Sequence, residues 1–282
     1  MTRVYEQLPS TWRALWGAWQ SRGKQPRAAD DLPDLSARLL PRRADAEHLR
    51  RYRQLCGFVD DGRLPLTYPQ VVAGPLHVAM FTDPQFPLAA MGAVHVRNRI
   101  AQVRPLAHDD LFDLSVQLTE VRQAAAGVEV DIETTATVHG EPVWRSVLTA
   151  LQRIGPTGKR GNPTPTEVLP PALRSLLLPV PADLGRRYAA VAGDWNPIHQ
   201  HALAARMFGF PRALAHGMWT LARAVAELQD DLEPTPTRYC DVQFKRPVWL
   251  PSRVSIRSHR TAHGIAGRVQ SPDGRTLHAT IA

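Results

Sequence analysis

The chain has 282 residues, 44% hydrophobic and 21% charged, which describes a globular protein of one large domain or two of about 140 residues. No apolar run approaches the roughly 20 residues that cross a bilayer, and no signal-peptide core opens the chain. Cys56 and Cys240 are too few for a disulfide framework or a cysteine-based zinc site, so a cytoplasmic protein without a membrane span is expected. The net charge of +8 is compatible with nucleic acid, an anionic membrane surface or a small ligand carrying phosphates, and charge alone does not choose among them. The Lys and Arg residues lack the aromatic interleaving of a base-stacking platform, and no nucleic-acid partner is expected.

Residues 1–45 read as an N-terminal appendage. Trp12, Trp16 and Trp19 share one face of a short helix that docks on the body, and Asp30 to Pro41 reads as a connector. Residues 46–155 form a first unit. Residues 156–171, within the Pro- and Gly-crowded stretch IGPTGKRGNPTPTEVLPP, form a linker, and residues 172–282 form a second unit.

The two units resemble one another. RYRQLCGF (Arg51 to Phe58) matches RYAAVAGD (Arg187 to Asp194), and Arg104-Pro105 lies opposite Arg246-Pro247, at offsets of 136 and 142 residues. Each unit ends in alternating apolar and polar stretches broken by turn signals, at Gly127, at His139-Gly140 and at Asp273-Gly274. In the second unit these follow one uninterrupted helix over Gly217–Leu228. The first unit's equivalent, from Gly74, carries Pro84 and Pro87, which cannot continue a helix. The pattern is α+β: a helix followed by an antiparallel meander, twice.

The second unit alone carries YAAVAGDWNPIHQH, with Asp194, Asn196, His199 and His201 around Pro197; Phe58 stands where Asp194 would be. Three readings fit. Asp194, His199, His201 and His216 offer metal donors, although His199 and His201 at i and i+2 point to different sides of a helix. Asp194 and His199 suit an acid/base pair acting on one water, with Asn196 orienting the water or the carboxylate. An ordinary polar turn is the third. Gly217, at the start of the long helix, adds unpaired N–H groups and no side chain, which is what a developing oxyanion requires.

Tyr188, Gly193-Asp194, Asn196-Pro197-Ile198-His199, Gly209 and His216-Gly217-Met218 together resemble the signature of the MaoC-like, or hydratase 2, family of (R)-specific enoyl-thioester hydratases and dehydratases. The repeat resembles the double hot-dog members. The resemblance implies two hot-dogs, each a long helix wrapped by an antiparallel sheet, the first non-catalytic and binding the acyl chain, the second catalytic. It implies catalytic roles for Asp194, His199 and Asn196, with the Gly217 N–H as oxyanion donor. The implied reaction is reversible hydration of trans-2-enoyl thioesters, with acyl-CoA or acyl-ACP as substrate and no cofactor or metal. A homodimer of the whole chain is compatible with it. Lys245 and Arg246 are candidates for the carrier's phosphates, although the match of Arg246 to Arg104 favours a structural role. The chain departs from the family at Ala192, where serine is common, and at His201, where an acidic residue is common; both bear on substrate preference and pH optimum. A non-catalytic thioester-binding protein and a metal-dependent hydrolase are the alternatives.

Overall fold

The computed structural model describes residues 2–6, 24, 32–89, 92–154, 172–232 and 235–282. The expected tryptophan helix and the linker lie outside them. The first half runs β1 (Arg3–Tyr5), β2 (Ser36–Arg42), α1 (Ala46–Cys56), α2 (Tyr68–Val72), α3 (Gly74–Phe81), β3 (Val94–Gln102), β4 (Phe112–Ala124), β5 (Gly127–Val138) and β6 (Glu141–Arg153). The second runs β7 (Arg174–Val180), α4 (Leu184–Ala192), α5 (Pro197–Gln200), α6 (Ala202–Met207), α7 (Gly217–Leu228), β8 (Arg238–Phe244), β9 (Ser252–Thr261), β10 (Gly264–Gln270) and β11 (Leu277–Ile281).

All these strands join one sheet, ordered β1-β2-β4-β5-β6-β3-β8-β11-β10-β9-β7. From β2 inward and from β7 inward the order is the same, and the halves meet where β3 pairs antiparallel with β8. At the offset of 142 that superposes Arg104-Pro105 on Arg246-Pro247, Arg99 corresponds to Asp241, and these two residues are paired across the seam. An approximate two-fold axis therefore passes between them, and the fold is two hot-dogs joined edge to edge.

The local signals explain most elements. Asp45 caps α1 by accepting from the His48 N–H, and Leu49, Tyr52 and Cys56 bury one helical stripe. Both α1 and α4 end in left-handed glycines, Gly57 (φ 82°) and Gly193 (φ 71°), as the matched sequences require. His139 and Gly140, at φ 51° and 86°, make the tight β5–β6 hairpin. Helix α7 is buried along most of its length, from Trp219 through Leu228. Its counterpart α3 stops at Phe81, before Pro84.

One expectation fails. Residues 36–42, read mainly as connector, form strand β2, which pairs with β4 and buries Ala37 and Leu39 against the core. The first half thus begins at Ser36 rather than residue 46. Pro41 obscured the strand, and a register shift between Leu39 and Arg42 accommodates it, since proline has no N–H to donate to the ladder.

Candidate active site

Asp194 follows the left-handed Gly193, where the chain leaves α4 and turns sharply. Asn196 fixes that turn from both sides. Its N–H donates to Asp194 Oδ1 at 3.2 Å, and its own Oδ1 caps α5 by accepting from the Ile198 N–H at 3.3 Å. Asn196 thus orients the carboxylate through its backbone, while its side-chain oxygen serves the helix.

His199 is buried in α5 and donates Nδ1–H to the Leu214 carbonyl at 2.8 Å, which leaves Nε2 as an open acceptor. His216 is the residue immediately before α7. Its Nε2–H donates to the Asp194 carbonyl at 3.0 Å, and its ring stacks on His199 with centroids 3.7 Å apart. One polar atom each from Asp194, His199 and His216 lie within 4.8 Å of one another, a separation that one water spans.

Electrostatics sets the resting charges. Burial pushes His216 down to about 3 and also lowers His199, against the pull of the Asp194 charge, so both are neutral at neutral pH. For Asp194 desolvation acts upward, but attraction to His216 and His199 as they become charged in acid, with the Asn196 N–H, outweighs it, so the carboxyl lies below its ordinary value and is ionised beside the neutral imidazoles at neutral pH. The site rests as one carboxylate, 47% exposed, beside neutral imidazoles.

Gly217 is the first residue of α7, and the His216 side chain makes no capping bond to the helix. The first-turn N–H groups are therefore open to a substrate oxygen at the positive end of the helix dipole. A Cβ at Gly217 would lie 3.2–3.4 Å from the Phe244 ring, so that ring closes the side from which a side chain would project.

The MaoC like domain matches residues 164–280. The 3-hydroxyacyl-thioester dehydratase X of Mycobacterium tuberculosis is 35% identical over 229 residues, which cover 80% of this chain and 81% of that protein. The chain belongs to the MaoC-like family. The enoyl-CoA hydratase ChsH3 of the same organism is 29% identical over 192 residues, 64% of this chain and 65% of that one. The crystal structure of HtdX from M. tuberculosis superposes with a TM-score of 0.76 at 30% identity, covering 88% of this chain and 98% of the other.

In this MaoC-like chain, of the four residues singled out as catalytic, Asp194 and His199 come together with His216, the neighbour of Gly217, while the Asn196 side chain caps α5. His201 does not join them: it is exposed and its Nδ1 caps α6 by accepting from the Leu203 N–H. Among the described residues the three donors that could approach a metal are Asp194, His199 and His216. Of these, His199 has Nδ1 engaged at the Leu214 carbonyl and His216 has Nε2 engaged at the Asp194 carbonyl.

Lys245 and Arg246 are exposed and directly follow Phe244. Arg104 pairs with Asp110 at 2.8 Å, whereas Arg246 has no carboxylate partner among the described residues. The structural role that the match suggested for Arg246 does not carry over, because Ser252 stands at the position equivalent to Asp110.

Sequence reasoning missed three histidines. His216 entered as a metal donor and as part of the family signature, without a place in the acid/base pair. His77 of α3 and His95 of β3 belong to the first half, and both feel the Asp194 charge across the seam. Nothing in the linear sequence links residues about 100 positions apart, so only the fold could reveal them.

Proposed function

We propose that the protein catalyses the reversible syn addition of water to a trans-2-enoyl thioester, giving the (R)-3-hydroxyacyl thioester. It is thus a hydro-lyase, a 3-hydroxyacyl-thioester dehydratase of fatty-acid metabolism. The observation that carries this reading is the Asp194 carboxylate and a His199 ring nitrogen within one water's span, with His199 Nε2 left open and the uncapped start of α7 adjoining.

A water held by these two acceptors loses a proton to one of them as its oxygen bonds to C3. The electron pair of the C2=C3 bond moves toward the thioester carbonyl, whose oxygen is held by the Gly217 N–H. The protonated residue, Asp194 or His199, then delivers a proton to C2 from the same face, the enolate's electron pair forming the new C–H bond as the carbonyl is restored, which makes the addition syn. The reverse sequence dehydrates the hydroxyacyl thioester. No metal or redox cofactor takes part.

Support for the substrate comes from the named relatives, a dehydratase and a hydratase of acyl thioesters. Lys245 and Arg246 offer cations to the phosphates of coenzyme A or of a carrier protein. The acyl chain lies along the first half, where α3 has eight residues against twelve in α7. The place of action is the cytoplasm; among the described residues no helix is long and apolar enough to cross a membrane.

The test is hydration of enoyl-CoA substrates from crotonyl-CoA upward, followed by loss of enoyl absorbance and chiral analysis of the product. Loss of absorbance with an (R) product is expected, unchanged by chelator. Thioester binding without turnover would instead make the protein a binding module, and abolition by chelator would make it a metalloenzyme.

A further inference from the structure

Strand β3 contains an irregularity that points at the site. Its pairing with β6 shifts register between His95 and Arg97, leaving Val96 as an extra residue. Such bulges re-aim a side chain beside functional sites. The His95 side chain closes this one by donating Nε2–H to the Arg97 carbonyl at 2.9 Å.

The ring so fixed meets Phe244 edge-on, with centroids 4.9 Å apart and planes at 61°. Phe244 in turn occupies the space where a Gly217 side chain would lie, 3.2–3.4 Å from its ideal Cβ. A chain of contacts therefore runs from the first half, through Phe244, to the open N–H groups of α7. The approximate two-fold axis makes the other half a control. Thr237 stands at the position equivalent to His95, exposed and outside β8, so no ring takes the place of His95 there. The His95–Phe244 contact faces the half with Asp194.

We propose that His95 is a positioning residue, which fixes the Phe244 ring against Gly217 and so shapes the pocket where the thioester oxygen meets the Gly217 N–H. The half without a catalytic carboxylate thereby completes the site of the other half. Burial brings His95 down to about 4 despite the nearby Asp194 charge, so the ring keeps its neutral form through the working range. The inference rests on the thioester-hydration reading for its chemistry, and on geometry alone for its mechanical claim.

The experiment compares His95→Ala, His95→Gln, Phe244→Ala and the double variant His95→Ala/Phe244→Ala in steady-state hydration of an enoyl-CoA. His95→Ala is expected to lower kcat roughly 10- to 100-fold with KM within about twofold, since a small misplacement of a reacting group costs that much. His95→Gln keeps a donor for the Arg97 carbonyl and is expected to recover most of the loss. The double variant should be no slower than Phe244→Ala, because both substitutions break one chain of contacts. Wild-type kcat in His95→Ala, no rescue by Gln, or effects that multiply in the double variant would overturn the proposal. The Gly217 amide NMR signal gives the same comparison without turnover. It should move in both single alanine variants and return in His95→Gln; a signal that stays in place in His95→Ala refutes the mechanical claim even if the protein proves inactive on enoyl thioesters.

Discussion

Helices α1 and α4 begin from matching sequences, bury equivalent tyrosines, Tyr52 and Tyr188, and end in left-handed glycines at Gly57 and Gly193. The next residue separates the halves. Phe58 turns inward, 7% exposed, and stacks on Tyr52 with centroids 5.9 Å apart. Asp194 keeps its carboxylate half exposed and surrounded by imidazoles. The same backbone device thus places either a core hydrophobe or a reacting group, because a helix cap controls direction and not chemistry. The segment Asn196–Phe210, without counterpart in the first half, then adds His199.

The sharpest way to break this contrast is to exchange the residues. Asp194→Asn is expected to lower kcat roughly 100-fold or more with unchanged circular dichroism; activity within a few-fold of wild type would remove Asp194 from the chemistry. Phe58→Asp should gain no activity in the same assay. It should also cost about 2–4 kcal/mol in denaturant unfolding, since the carboxyl would be buried without a partner.

A second comparison concerns acid stability, to which both halves contribute. His77 and His95 lie near 4 and His216 near 3, against an ordinary value of 6.5. A histidine lowered on folding contributes stability that is fully present above its unfolded pKa and is lost as pH falls toward the folded value. The free energy of unfolding in urea is therefore expected to fall between about pH 6.5 and pH 4, by about 2 kcal/mol at pH 5 for each of His77 and His95. His77→Gln should flatten the profile; an unchanged slope would show that this histidine is protonated in the folded protein. Activity should persist below pH 6.5 as well, because His199 is also lowered and stays available as a base.

The smallest effects should separate the two matched arginines. Arg246→Ala is expected to raise KM for a CoA substrate about two- to fivefold, a single screened phosphate contact, and to leave thermal stability unchanged. Arg104→Ala should do the opposite, leaving KM alone and costing under about 1 kcal/mol through loss of the Asp110 ion pair. Equal effects of the two on KM would mean that neither position is specific to the half with Asp194.

Much of this was legible along the chain. The glycine caps, the interrupted first helix and the hairpin turns depend on residues within a few positions of one another. So does the convergence of Asp194 and His199 across the turn at Pro197. Strand β2 was not legible, because Pro41 imitates a linker and only pairing with β4 makes Ala37 and Leu39 an inward face. Asn196 was read as orienting the water or the carboxylate, and the structure adds the means: its backbone N–H reaches Asp194 while its side chain caps α5.

The sequence by itself determined that there are two similar halves and that one of them carries the polar constellation, since caps, turns and motif spacing are short-range effects written in neighbouring residues. Only the tertiary structure decided that the site reaches across both halves. His216 stacks on His199 because α7 and α5 meet, and His95 meets Phe244 because the β3–β8 seam sets the register between residues far apart in the chain. That register arises from the packing of two whole sheets, and no local stretch of sequence encodes it.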